Sequence, residues 1–154
     1  MQSSPEPNRG AVLFDANALS RLALIGRSDI LATVFRGRCY VTPAVHHELE
    51  VGVAIGVSYL EPILTLVERK ELQVLDLQPE DRQYGATAPR KLGVGEVEGI
   101  ALCQRLGMTF VTHDRKAANF CERAGVKCLH FHTLVVALEQ RGLLTSQEAQ
   151  QALQ

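Results

Sequence analysis

The stretch VLFDANAL, residues 12–19, runs three apolar residues straight into Asp15 and then into a helix-forming segment. The same shape returns as FVTHDRKA, residues 110–117, with Asp114 in the matching place. A short apolar run followed at once by helical periodicity reads as a buried strand feeding a helix. Between and after these two units the chain keeps alternating the two patterns. Strands alternating with helices imply a parallel sheet with helices on both faces. Crossovers between parallel strands are right-handed, so successive strands point the same way. Asp15 and Asp114 then lie at one edge of the sheet, the edge where open α/β sheets bind ligands.

The full reading along the chain begins with residues 1–10 as a flexible leader and 11–154 as one domain. After AVLFD, ANALSRLALIG reads as a helix ending at Gly26, and Ser28 caps a second helix, DILATVF, that stops near Gly37. RCYVT is a strand. Thr42 followed by Pro43 starts the helix AVHHELEVGV, since Pro at the first helical position loses no needed hydrogen bond. LEPILTLVERK is a helix and LQVLDL a strand. The polar, Gly- and Pro-rich QPEDRQYGATAPRKLGVG reads as one long connection, of the kind that is usually functional or mobile. EVEGIALCQRLG is a helix closing at Gly107, followed by the strand MTFVTH, the helix RKAANFCERAG, the strand VKCLHF and the helix TLVVALEQRG. The tail opens on Thr145 and Glu148, a capping box.

Composition narrows the function. The chain is 154 residues, 46% hydrophobic and 21% charged, suited to a single globular core. Aromatics are 5% with no Trp, which argues against a single-strand binder built on stacked aromatic platforms. A net charge of −1 leaves nucleic-acid binding to the placement of basic residues rather than their number. The N-terminus has no signal-like apolar run, and no stretch approaches the ~20 apolar residues of a membrane span. Four cysteines without C-x-x-C spacing read as free thiols in a reducing cytoplasm.

Taken singly, Asp15 and Asp114 are good helix caps, worth about 1 kcal/mol each. Two further acids alter that reading. Glu48 lies on the helix begun by Thr42-Pro43, and Glu96 in the first turn of the helix after the long connection. Both helices start from the same rim as the two aspartates. Two bare charges at ~4 Å repel by roughly 4 kcal/mol at an effective dielectric of 20, more than capping returns. Protons or a cation must neutralise such a cluster, and an all-oxygen set suits Mg²⁺ or Mn²⁺. Glu98 and Glu50, two residues beyond Glu96 and Glu48, point away on their helices and read as solvated acids. His46 and His47 read as surface residues, and His113 faces away from Asp114 along its strand.

The segments VLFDANALSRL, VTPAVHHEL, GVGEVEGIALCQRLGMTFVTHDRKA and CERAGVKCLHFHTLVVALEQRGLLT resemble PIN-domain proteins, most of all the small prokaryotic ribonuclease toxins of toxin–antitoxin pairs. The resemblance runs from about Ala11 to Thr145. It implies a parallel five-stranded sheet flanked by helices, and a Mg²⁺- or Mn²⁺-dependent site that hydrolyses RNA with a metal-activated water. Carried over by position, Asp15, Glu48, Glu96 and Asp114 are the catalytic acids. Asp15, Glu96 and Asp114 are the metal ligands, and Glu48 orients water or a second ion. Asn17 and Thr112 take the supporting polar positions. Many relatives place another acid beside or after the last one, where this chain has His113, Asn119 and Phe120. That departure implies one ion held by protein.

Arg115, Lys116, Arg90 and Lys91 are candidates to hold RNA phosphates. The resemblance also implies a cognate antitoxin and a homodimer, with the apolar stretches VGVAIGV (51–57) and YLEPILTLV (59–67) covered by a partner. Two rival readings stand beside it. One is a catalytically silent PIN-like binding module. The other is a haloacid dehalogenase-like phosphatase, which also begins with an acid after its first strand but wants a second acid where Asn17 stands.

Overall fold

Val12–Phe14 forms the first strand, β1, and its neighbours show how deeply it lies. Val12 and Phe14 pack on one face of the sheet and Leu13 on the other. That is the period-2 alternation of a strand covered on both sides. The computed structural model describes residues 10–154; the proposed leader lies, but for Gly10, outside the described residues. The other strands are Cys39–Val41 (β2), Gln73–Val74 (β3), Thr109–Thr112 (β4) and Cys128–His130 (β5). They form a five-stranded sheet in the order β3-β2-β1-β4-β5, every pair parallel. The chain builds outward from β1 to β3, then returns to the other side of β1 for β4. The point of reversal lies between β1 and β4, where a crevice opens at the strands' carboxyl ends.

Nine α-helices cover the sheet among the described residues: Ala16–Leu24 (α1), Asp29–Thr33 (α2), Pro43–Ala54 (α3), Glu61–Glu68 (α4), Pro79–Gly85 (α5), Val94–Leu106 (α6), Arg115–Ala124 (α7), Phe131–Gln140 (α8) and Ser146–Ala152 (α9). One core joins Phe14, Val41 and Val111 to Leu19 and Leu22 of α1, Ile63 of α4 and Phe131 and Val135 of α8. A second core joins Leu13 and Phe110 to Ile100 and Cys103 of α6 and to Ala117 and Cys121 of α7. Each fully buried apolar side chain contributes ~1.5–3 kcal/mol by leaving water. All four cysteines are free, and Cys39, Cys103 and Cys121 are buried.

Several local readings change. The segment 78–95 is not one loop, because α5 lies inside it. Pro79 takes the first helical position, and Asp81 reaches back to accept the Gln78 backbone N–H at 2.8 Å. Asp81 then receives both arms of Arg105 at 2.9 Å, tying α5 to α6. Ser28 precedes α2 but its side chain makes no capping bond. The strand at 72–77 pairs over only two residues. Elsewhere the expected punctuation holds. Thr42 caps α3 through Val45 N–H, and Gly107 ends α6 at φ 71°, a left-handed turn that glycine adopts without strain.

Candidate active site

Strand register brings the first acid to the site. Phe14 pairs with Val111, and the Asp15 N–H donates to the Val111 carbonyl at 3.0 Å, so Asp15 sits beside Thr112. Asp15 is 3% exposed. One carboxylate oxygen accepts from Ala18 N–H at 2.8 Å, the capping bond of α1. The other accepts from the Thr112 hydroxyl at 2.5 Å and from His113 N–H at 3.2 Å. A helix cap needs only the first of these. The Thr112 hydroxyl also accepts the Asp114 N–H at 3.0 Å, so a single side chain fixes both aspartates. Burial pushes the Asp15 carboxyl above its ordinary range, its three donors pull it back, and the charge of Asp114 adds to the rise.

Asp114 caps α7, accepting Lys116 N–H at 2.9 Å. Its own pKa is held down, first by a hydrogen bond from Glu96. Glu96 is the complement. Burial, followed by the hydrogen bond to Asp114 and then the charges of Asp114 and Asp15, raises it from 4.5 to about 7. The two carboxyl groups thus shift in opposite directions, Glu96 up and Asp114 down. Glu96 also accepts Gly93 N–H at 3.0 Å, which fixes it in the first turn of α6.

Glu48 projects from α3 into the same crevice, which Asp15, Asn17, Glu48 and Glu96 line together. Burial and the charge of Asp15 raise its pKa. The approach of α3 to α6 depends on Gly95, where an added Cβ would stand 2.9 Å from Val45 Cγ2 and 3.5 Å from Glu48 Oε1. One turn on, a Cβ at Gly99 would meet Phe110 at 2.6 Å and Leu13 at 2.9 Å. These two glycines let α6 lie close enough to carry Glu96 into the cluster. Sequence reasoning missed them, although Gly at i and i+4 inside a helix, each costing ~1 kcal/mol against Ala, was a signal of close packing.

Other assignments shift. Glu98 is not a solvated acid: it accepts Ala44 N–H at 3.0 Å and so caps α3 from α6. Asn17 is exposed at the crevice mouth and accepts from Arg21 Nε at 3.0 Å. The His113 ring packs against His130 and Phe131, with Nδ1 buried and without a hydrogen-bond partner. The four candidate phosphate-holding cations line three separate hollows. Lys91 and Lys116 share a groove, Arg115 lines a different hollow beside His130, and Arg90 lines a third beside α5.

Among the described residues, no group of three or more His, Cys, Asp or Glu stands arranged to hold a metal ion. Asp15, Glu96 and Asp114 are therefore not a ready-made ligand cage, and each accepts at least one backbone N–H. A family described as DUF3368, a PIN domain, matches residues 11–154. The chain belongs to the PIN-domain family. PIN domains are generally nucleases and usually use divalent metal ions. No curated protein matches this PIN domain. No helix among its described residues is long and apolar enough to cross a membrane.

Proposed function

We propose that this PIN domain is a Mg²⁺- or Mn²⁺-dependent endoribonuclease. The observation that carries the reading is one crevice lined by Asp15, Glu48 and Glu96, with Asp114 held beside it through the Thr112 hydroxyl that also binds Asp15. Carboxyl groups gathered in one crevice need a positive charge, and a divalent cation can supply it with an all-oxygen donor set. Asp15 and Asp114 would hold the ion directly, Glu96 would join once deprotonated, and Glu48 would orient water at the crevice mouth. Thr112 keeps the two aspartates in register throughout, and Asn17 borders the mouth. When bound, the cation supplies an acidified water and charge to offset the phosphodiester's non-bridging oxygens.

The competing reading is a silent PIN-like binding module, favoured by the capping bonds that Asp15 and Asp114 do make. The phosphatase reading has no support, since Asn17 is paired with Arg21 and the family is a different one. Calorimetry with Mn²⁺ on the wild type, Asp15→Asn and Asp114→Asn, followed by RNA cleavage, separates the two that remain. Binding and cleavage lost together in both variants support the nuclease. No binding by the wild type, with variants that only melt lower, supports the module.

In the cell we propose a toxin-like role, with a cognate antitoxin as protein partner, RNA as substrate and a homodimer as the working form.

A further inference from the structure

Helix α7 leaves the acid cluster carrying a polar face that the chemistry above does not use. Lys116, Asn119, Phe120 and Arg123 fall at i, i+3, i+4 and i+7, one side of a helix. With Lys91 and Leu92 from the turn ahead of α6, they line a single groove. The three cations are exposed, and none of them forms a salt bridge among the described residues. Phe120 is half-buried, packed on the second core while lining the groove. The groove starts at the site itself, because Lys116 donates its backbone N–H to Asp114. At 1.5 Å per residue, Lys116 and Arg123 stand ~10 Å apart along the helix.

Three exposed cations along one groove, none held in a salt bridge among the described residues, call for an anion with regularly placed charges. An aromatic ring between them calls for a flat apolar group on the same molecule. A single nucleic-acid strand supplies both, phosphates for the cations and bases for the ring. A duplex keeps its bases stacked inside and offers the ring nothing. An acidic peptide would use the cations alone.

We propose that this groove holds single-stranded RNA on one side of the scissile phosphate. Lys91, Lys116 and Arg123 take backbone phosphates, Asn119 hydrogen-bonds the strand, and Phe120 lies under a base. The proposal rests on the ribonuclease reading for its choice of RNA, and it adds strandedness and a direction of approach along α7. Arg115 and Arg90 fall outside this path.

The test is fluorescence anisotropy of the full chain in EDTA, so that binding is read without cleavage. The probes are a labelled oligouridine strand, an RNA duplex of equal length, and polyglutamate as competitor. The proteins are wild type, Lys116→Gln/Arg123→Gln, Phe120→Leu, and a control Arg69→Gln/Arg141→Gln at the far ends of α4 and α8. The single strand should bind more tightly than the duplex. The groove double variant should bind it about tenfold more weakly, with a salt slope shallower by roughly 1.4. Phe120→Leu should weaken binding about fivefold or more with the slope unchanged, and the control should match wild type. The groove is overturned by duplex binding as tight as single-strand binding, by a double variant that binds like wild type, or by polyglutamate competing equally while Phe120→Leu has no effect. Mn²⁺ calorimetry and cleavage on the same proteins keep the two readings apart. Groove binding without metal uptake or cleavage sinks the nuclease alone; cleavage unaffected by the groove variants sinks the groove alone.

Discussion

A single hydroxyl organises the acid cluster. Thr112 donates to Asp15 and accepts from Asp114 N–H, so replacing it with Val keeps the shape and strips both partners. Leaving such buried groups unpaired costs ~1–3 kcal/mol, and loss of a ligand's supporting bond costs ~10–100-fold in metal affinity. Thr112→Val should show both losses in urea unfolding and Mn²⁺ calorimetry, while Thr112→Ser should keep most of each. Equal behaviour of Val and Ser would mean that the hydroxyl does not set the geometry. Glu96 gives a pH signature at the same scale. Its carboxyl rises from 4.5 to about 7 in the folded chain, so between those values the folded state keeps a proton that the unfolded chain has released. That contribution is fully present below the unfolded value and is lost as pH rises through the folded one. His113, whose pKa is lowered chiefly by burial, has the opposite slope below its ordinary value, so the readout is a difference between proteins that both retain it. In EDTA, the melting temperature of wild type minus that of Glu96→Gln should fall between about pH 5 and about pH 8. A difference that stays constant would show that the Glu96 carboxyl is not raised in the folded chain.

Elements fix how those residues meet, and α6 depends on its glycines. Gly99→Ala drives a methyl into Phe110 and Leu13, both 0% exposed, and overpacking of this kind costs ~1–3 kcal/mol. Gly95→Ala presses instead on Val45 and the Glu48 carboxylate. It should disturb Mn²⁺ binding and cleavage more than stability, since Glu48 is exposed and its helix can tilt. Urea unfolding and calorimetry on the pair check the contrast, and the reverse pattern would place α6 differently from the helix described. The alternation of strands and helices, the rim and its four acids were legible because each rests on local period and capping chemistry. The long-range partners were not. Nothing in the segment 78–95 showed that Asp81 would find Arg105, and its Gly and Pro content hid the start of α5. Glu98 was misread for a related reason. Helical spacing places it away from Glu96, but only the packing of α3 on α6 puts the Ala44 N–H in front of it.

At the scale of the whole molecule, the apolar surface is unevenly placed. Leu24, Val51, Ile55 and Tyr59 are 59%, 44%, 76% and 42% exposed, and Leu24 and Tyr59 line one hollow with Asn17 and Glu48. Val51 on α3 and Ile55 just past its end stand one turn apart, on the side that carries Glu48. Apolar groups gathered beside a polar crevice mark a contact surface more readily than scattered ones do. The homodimer proposed above would use this surface, and a net charge of −1 sets up no long-range repulsion between copies. Sedimentation should then give twice the 16.9 kDa chain mass at micromolar concentration. Ile55→Lys, which places a charge at the most exposed apolar position, should shift the protein to monomer while leaving its circular dichroism unchanged. Melting should also depend on concentration for the wild type and not for the variant, since association stabilises only the folded state. A wild type that sediments as monomer throughout, with a melting temperature indifferent to concentration, would leave this surface for a partner other than a second copy.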